Sequence, residues 1–308
     1  MFSLRSKAAV IGAGKISYSL VNALKNSGEA VSFIVSKKLS SAKRLAQTFG
    51  IENYSDDLNS IPPDIRIFFF SVPDDQIRKI AEDISKLNLD FKNFLFIHLS
   101  GAEDISVLNA LKKEKAHTAS FHIMQSFPSK KIVDLTDCYA AIETNDITSQ
   151  KFLFLLAKKM GLRPFNLRSG DKIFYHLAGV YASNFLVGNV FSGENIFPKR
   201  RGKSLTFFEI VEPIVKATLT NIKKDNSVSA LSGPVDRGDY QTIRRHISSL
   251  KKRKDLYNKK LNLHLLNYIS QSFVLLKAAE KKYTHLSEEQ VKIENLLREE
   301  LKKLAGKF

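Results

Sequence analysis

The chain has few of the residue types on which small disulfide-rich proteins and fibrous proteins depend. Its 308 residues include one Cys, no Trp, 14 Gly and 8 Pro. A single cysteine, Cys138, cannot form an internal disulfide, which excludes a disulfide-stapled scaffold. The modest Gly and Pro content excludes collagen-like and low-complexity architectures. We therefore expect a globular protein with a large hydrophobic core, located in a reducing compartment such as the cytoplasm.

Long uninterrupted hydrophobic segments are also missing. The most apolar stretch, residues 175–191, contains His176, Ser183 and Asn184. Because a bilayer span needs about 20 predominantly apolar residues, we interpret this stretch as a buried helix. The first residues do not have the pattern of a cleavable leader, and no membrane partner is expected.

Acidic residues are the minority among the charged ones. Lys and Arg number 48 against 31 Asp and Glu, a formal net charge of +17. Such an excess could serve nucleic-acid binding through phosphate neutralisation. The basic residues, however, are dispersed over many predicted helices, without a recognition motif rich in Arg or aromatic residues. We therefore expect no nucleic-acid partner.

The pattern of apolar residues divides the chain into two parts. Up to residue 168, short apolar runs such as "AAVI", "IFFF" and "LFI" alternate with helical segments. Continuous apolar strands separated by helices are typical of a parallel sheet covered on both faces. From Lys172 onward nearly every segment has helical spacing. The sequence predicts an α/β protein, with a doubly wound Rossmann sheet in a first domain, residues 1–168, and an all-α second domain, residues 169–308.

A glycine-rich turn follows the first predicted strand. Gly12 and Gly14 stand in a G-x-G-x-x-S pattern that opens a helix, with Ser17 at the position of the usual third glycine. Glycines there allow a tight turn and a close approach of a pyrophosphate, and the helix N-terminus offers free N–H groups to the anion. The turn therefore predicts a dinucleotide site.

The end of the second predicted strand distinguishes the two nicotinamide dinucleotides. NAD sites usually carry an acidic residue there, which binds the ribose 2′-hydroxyl. Here the strand ends in Ser36, Lys37 and Lys38, which provide a hydroxyl and two ammonium groups. Donors and positive charge suit a 2′-phosphate, so NADP is favoured, unless the two lysines are merely solvated loop residues. Two later segments, residues 71–74 and 98–102, stand at the ends of predicted strands, at the edge where open α/β sheets bind ligands. The residues predicted to bind the cofactor are Gly12, Ala13, Gly14, Lys15, Ile16, Ser36, Lys37, Lys38, Ser71, Val72, Pro73 and Ser100.

Three segments carry a family resemblance. They are "SFHIMQSFP" (residues 120–128), "YHLAGVYASNFLVGNVF" (residues 175–191) and "TLTNIKKDNSVSALSGPVDRGD" (residues 218–239). Over about residues 6–283 the chain resembles Rossmann-like proteins with a C-terminal domain of unknown function 2520. Their architecture is similar to that of pyrroline-5-carboxylate reductases and β-hydroxyacid dehydrogenases. The resemblance implies an N-terminal NADP-binding domain and a helical C-terminal domain of the 6-phosphogluconate-dehydrogenase C-terminal-like type, through which a homodimer forms. It implies no substrate.

The candidate catalytic residues are Lys172, His176 and His122. At about 100° per residue, Lys172, His176 and Ser183 share one face of an otherwise apolar helix. Hydride reduction of C=O or C=N needs a nearby proton donor, and a Lys or His with a perturbed pKa can serve. β-Hydroxyacid dehydrogenases place Asn four residues after their catalytic Lys, whereas this chain has His176 there. Alternatively, His176 is a satisfied buried histidine, Lys172 is a surface charge, and His122 only structures its loop.

A further group of polar residues could bind the substrate. These are Ser100, Gly101, Gln125, Asn184, Asn221 and Arg237. Arg237 could anchor a carboxylate or phosphate, or it could form a structural pair with Asp239, which could also cap the next helix. No close His or Cys spacing indicates a metal. The leading hypothesis is an NADP-dependent oxidoreductase that transfers hydride to or from a small anionic keto acid, hydroxy acid or imine. The alternative is a non-catalytic NADP-binding sensor or assembly protein.

Overall fold

One eight-stranded sheet forms the centre of the N-terminal part. The computed structural model describes residue 2 and residues 6–87, 89–198, 206–258 and 261–306. The strand order is β3–β2–β1–β4–β5–β6–β7–β8. The strands are β1 (Lys7–Ile11), β2 (Ala30–Val35), β3 (Asn53–Ser55), β4 (Ile67–Phe70), β5 (Leu95–His98), β6 (His117–Ile123), β7 (Tyr139–Glu143) and β8 (Arg163–Asn166). This sheet confirms the predicted Rossmann architecture.

Helices cover both faces of the sheet because its strands are apolar on both sides. They are α1 (Lys15–Asn26), α2 (Leu39–Thr48), α3 (Asp74–Ser85), α4 (Asn109–Lys113) and α5 (Ile147–Lys159), while α6 (Lys172–Ala182) follows β8. Phe69 belongs to the core beneath α1 and α5, whereas its neighbours Phe68 and Phe70 belong to the core beneath α3 and α4. Successive side chains of a strand point to opposite faces, so the run "IFFF" supplies both cores. Fully burying each Phe contributes about 1.5–3 kcal/mol.

The sheet departs from the predicted all-parallel arrangement at one place. β6 and β7 pair antiparallel, and β8 then runs parallel to β7. No α-helix lies between β6 and β7 in the described structure. A parallel connection requires a crossover, usually a helix, so a chain that returns directly forms an antiparallel pair.

The strand register places one residue of each central strand in a single row. Ile11 pairs with Phe70, Phe70 with His98, His98 with Ser120, and Ser120 with Glu143. Cross-strand partners lie on the same face of a sheet. The row therefore joins the residue before the glycine turn to three polar side chains on β5, β6 and β7.

The C-terminal part is mainly helical. Its helices are α7 (Asn184–Ile196), α8 (Phe207–Lys224), α9 (Tyr240–Lys252), α10 (Leu263–Tyr283) and α11 (Glu288–Ala305). α9, α10 and α11 share a core that includes Ile243, Ile269 and Leu297. The expectation of an all-α second part holds except in one detail, since β9 (Tyr257–Asn258) and β10 (Leu261–Asn262) form a short antiparallel pair.

The stretch 175–191 was expected to be one buried helix, and the structure differs. α6 ends at Ala182 with Ser183 as its C-cap, and α7 begins at Asn184. Ser and Asn favour helix ends because their side chains compete for backbone hydrogen bonds. Many of the apolar side chains here are exposed, among them Val187 at 68%.

The chain forms two compact units, Met1–Asn184 and Phe185–Phe308. The first unit thus includes α6, which the sequence assigned to the second domain; the boundary at residues 168 and 169 stays a prediction. Among the described residues, no helix combines the length and the apolar character needed to cross a membrane.

Candidate active site

The glycine turn is pressed against the end of the neighbouring strand β4. Gly12 has a φ of +109°, and its N–H donates to the Val35 carbonyl oxygen at 2.7 Å. A Cβ atom at this position would overlap the Ser71 carbonyl oxygen. Only glycine meets both the backbone conformation and this close approach.

Ser17, at the position of the third glycine, has a role of its own. Its hydroxyl lies 2.7 Å from the Ser71 hydroxyl and donates to the Gly12 carbonyl oxygen at 3.2 Å. The side chain is completely buried. The serine therefore fastens the turn to β4 and still allows the close packing for which the fingerprint uses glycine.

The start of α1 is suited to an anion. Gly14 is its N-cap and provides no side-chain cap, and the first turn contains no acidic residue. Its first N–H groups therefore have no capping side chain, and the helix dipole adds positive potential there. By contrast, α3 carries Asp74 and Asp75 in its first turn. The turn at residues 12–14 fits a dinucleotide pyrophosphate.

The residues after β2 are open to solvent. Ser36 is half-buried and its N–H donates to the Ser55 carbonyl oxygen at 3.1 Å, whereas Lys37 and Lys38 are exposed. Their ammonium groups are therefore available for a phosphate, the chemistry that the sequence predicted. In the segments after β4 and β5, Ser71 and Ser100 are buried, Val72 is half-buried, and Pro73 is exposed and caps α3.

Lys172, the first residue of α6, lies over the polar row of the sheet. Its side chain is 2% exposed, so the interpretation as a surface charge is wrong. The ammonium group donates to the Ser120 hydroxyl and to Glu143 Oε2, the latter at 3.5 Å. Burial lowers the pKa of Lys172 to about 8, while Glu143 opposes this shift.

His122 and His176 flank the backbone of Gly101. A Cβ atom at Gly101 would lie 2.7 Å from His122 Nε2 and 2.7 Å from His176 Nδ1. Any side chain at position 101 would therefore displace both imidazoles. The two rings are nearly perpendicular, with centroids 6.2 Å apart. Thus the sequence candidates Gly101, His122 and His176 lie together.

Tyr175 completes this group. Its hydroxyl lies 3.0 Å from His122 Nδ1. Burial raises the pKa of Tyr175 to about 12, so the phenol keeps its proton at neutral pH. Burial lowers the pKa of His122 to about 4, with the charges of Lys172 and His176 adding to the shift. When Tyr175 donates to Nδ1, the imidazole proton is on Nε2, which faces Gly101.

The other candidate residues have more varied surroundings. Gln125 is exposed and donates to the Cys138 sulfur at 3.4 Å, and Asn184 is exposed at the start of α7. Asn221 on α8 and Arg237 before α9 are exposed residues of the second unit. Asp239 is the N-cap of α9, as one of the alternatives had it. Hydrogen bonds from Thr242 hold the pKa of Asp239 below its usual value, and the Arg237 charge adds to that effect.

Sequence reasoning did not single out Ser120, Glu143 or Tyr175, and it placed His98 only in a segment flanking the cofactor. Their signal was present, because polar residues inside continuous apolar strands are rarely fully buried without a partner. Only the strand register, however, shows that His98, Ser120 and Glu143 are neighbours. Within the described ranges, no group of three or more His, Cys, Asp or Glu residues is arranged to hold a metal ion.

Two family models match the chain. Residues 6–90 match the oxidoreductase family with an NAD-binding Rossmann fold, and residues 138–262 match the domain of unknown function 2520. No curated protein matches the sequence.

Several solved structures share the fold. The proposed NADP oxidoreductase BF3122 from Bacteroides fragilis is 22% identical, with a TM-score of 0.72, over 88% of this chain and 98% of that one. Protein TM1727 from Thermotoga maritima is 24% identical, with a TM-score of 0.65, over 89% and 99%. An imine reductase from a Pseudomonas species is 16% identical, with a TM-score of 0.61, over 90% and 98%. The chain therefore joins an NAD-binding Rossmann region of the oxidoreductase type to a domain of unknown function 2520, as the resemblance implied.

Proposed function

We propose that the protein is an NADP-dependent oxidoreductase that transfers hydride to or from a small anionic keto acid, hydroxy acid or imine. The observation that carries the proposal is the row of paired residues from Ile11 to Glu143. Ser120, which contacts Lys172, lies three strands from the glycine turn, or about 14 Å at ~4.8 Å per strand. A dinucleotide held at the turn could extend along this edge toward Lys172.

Different residues would bind the pyrophosphate and the 2′-phosphate of the cofactor. The turn at residues 12–14 and the N-terminus of α1 would bind the pyrophosphate, and Lys37 and Lys38 would bind the 2′-phosphate. The bound nicotinamide would supply or accept the hydride. Similar solved structures support the redox chemistry, since a reductive aminase from Aspergillus terreus, 11% identical with a TM-score of 0.55, was solved with NADPH.

The protein's own groups would move the proton. With a pKa of about 8, Lys172 is mostly protonated at neutral pH, whereas His122 is neutral. Lys172 would therefore act as the proton reservoir, and His122 and His176 would pass the proton to the oxygen or nitrogen of the substrate. This role predicts that reduction slows as the pH rises above about 8, because Lys172 then loses its proton.

Cofactor preference is the first test. Calorimetric titration with NADPH and with NADH should show tighter binding of NADPH. The double variant Lys37→Ala/Lys38→Ala should weaken NADPH binding and leave NADH binding unchanged. Lys113→Ala, an exposed lysine at the end of α4, is the control. Equal affinity for the two cofactors in the wild-type protein would remove the NADP assignment, and binding of neither would remove the cofactor site.

Turnover is the second test. A panel of keto acids and imines is supplied with NADPH, and loss of NADPH absorbance is followed. His176→Ala should abolish turnover of an active substrate while the affinity for NADPH stays unchanged. Cofactor binding without turnover across the panel would instead favour a sensor or assembly protein.

We also propose that a second copy of the chain covers α7 and α8. Neither helix contains a buried residue, although they are 13 and 18 residues long. Their exposed side chains include Val187 at 68%, Phe191 at 59% and Ile214 at 67%. Isolated helices of this length are marginal in water, so a covering surface is required. Light scattering should show a dimer for the wild type and for the control Leu155→Glu, and a monomer for Val187→Glu.

A further inference from the structure

We infer that Glu143 is a positioning residue that keeps Lys172 in place and protonated, an inference that rests on the proposed function for its catalytic meaning. Glu143 is the last residue of β7 and is 5% exposed. Its partner across the sheet is Ser120, and both side chains contact the same ammonium group. The sheet and α6 thus meet at one buried ion pair.

Both carboxylate oxygens of Glu143 are occupied. Oε2 accepts from Lys172, while Oε1 accepts from the Ile105 N–H at 3.3 Å and from the Ser169 hydroxyl. The carboxylate is therefore held by the segment before α4 and by the segment before α6, and it cannot rotate away from Lys172 without losing these bonds. This arrangement fixes one position for the ammonium group.

The charged groups around Lys172 also indicate that Glu143 is its main partner. The negative charges of Glu143, Asp104 and Asp74 raise the pKa of Lys172. The positive charge of Lys172 in turn lowers the pKa values of His98 and His122. Of the three acids, Glu143 is the one hydrogen-bonded to the ammonium group in the described structure. His98 is fully buried beside the pair, and neither of its ring nitrogens makes a hydrogen bond of normal geometry within the described residues.

His98 cannot replace Glu143 as a counter-charge. Burial lowers its pKa well below the usual value, and the Lys172 charge adds to this shift. His98 therefore stays neutral at neutral pH. A buried ammonium group that loses its carboxylate partner pays its desolvation cost without compensation, and it responds by losing its proton. Without Glu143, Lys172 would be neutral at neutral pH and could not act as the proton reservoir.

The test follows the titration of Lys172 directly. Lysines carrying a ¹³C label at Cε are observed by NMR as a function of pH, and Lys172→Met assigns the signal. In Glu143→Gln, which keeps the side-chain shape, the pKa of Lys172 should fall by at least one unit, a tenfold loss of proton affinity. Glu143→Asp, which keeps the charge, should recover part of the shift. Glu114→Gln, at an exposed position after α4, is the control and should change nothing.

The outcomes separate this inference from the proposed function. An unchanged Lys172 titration in Glu143→Gln overturns the inference, whether or not the protein turns over a substrate. A shifted titration in a protein that reduces no substrate supports the inference about the pair and counts against the enzyme. With an active substrate, the loss of rate at high pH should begin at least one unit lower in Glu143→Gln, while the affinity for NADPH stays the same.

A variant that fails to fold still gives a result. If Glu143→Gln unfolds because it leaves a buried cation, the neutral double variant Glu143→Gln/Lys172→Met should restore folding, as judged by circular dichroism. A double variant that is no more stable than Glu143→Gln would show that Glu143 supports the fold independently of Lys172, which overturns the inference.

Discussion

Glu29 should destabilise the native protein at alkaline pH, and its amide variant should remove this penalty. The residue lies between α1 and β2, and its side chain is 4% exposed. Neither carboxylate oxygen has a hydrogen-bond partner within the described structure. Burial raises the pKa of Glu29 from 4.5 to about 7, although Lys159 acts in the opposite direction.

Whether Glu29 stabilises or destabilises the protein at a given pH follows from its pKa in the folded and in the unfolded chain. Because the pKa is higher in the folded chain, Glu29 binds its proton more tightly there, and protonation favours folding. This contribution is complete below the unfolded pKa of 4.5 and is lost as the pH rises through about 7. A difference of about 2.5 units corresponds to roughly 3.4 kcal/mol if it is fully expressed. Partial solvation of the side chain reduces the expected penalty to roughly 1–2 kcal/mol.

Glu29→Gln removes the ionisable group and keeps its size. Urea unfolding followed by circular dichroism should therefore show that the variant is about 1–2 kcal/mol more stable than the wild type above pH 8. The advantage should disappear below pH 4.5. Glu52→Gln, at an exposed position, is the matched control and should show no such dependence. A gain that does not vary with pH, or a loss of stability above pH 8, would refute the reasoning.

The remaining predictions concern the glycines and the serine of the candidate site. Gly12→Ala should abolish NADPH binding, because its Cβ atom would overlap the Ser71 carbonyl oxygen; the rise in melting temperature caused by NADPH should disappear. Gly101→Ala should reduce turnover at least tenfold and leave cofactor affinity unchanged, because it displaces the two imidazoles of the site; intact turnover would show that these imidazoles are dispensable. Gly170→Ala is the control for both, since nothing lies within 4 Å of its Cβ position. Ser17→Ala should lower the free energy of unfolding by roughly 1–2 kcal/mol, because it leaves the buried Ser71 hydroxyl without its partner.

The sequence alone was sufficient to predict the Rossmann half and its glycine turn. These features depend on local signals, namely continuous apolar strands, helices between them and glycines at residues 12 and 14. The start of α3 is an example of such a local signal, since Pro73 and the two acids that follow it stand at the N-terminus of the helix. The direction of β7 was predicted wrongly, because an apolar strand has the same composition in either direction.

The candidate site was predicted only in part. Lys172, His176 and His122 stand out because they are polar residues beside apolar segments. The register of β5, β6 and β7 decided that His98, Ser120 and Glu143 share one row and that α6 places Lys172 upon it. The pairs that contact or face each other here, from His98 with Ser120 to Ser120 with Lys172, are 22 to 52 positions apart in the chain, and no periodicity extends over such distances. Local propensity and patterning are properties of the sequence, whereas a buried ion pair between a strand and a helix exists only after the sheet has aligned its strands.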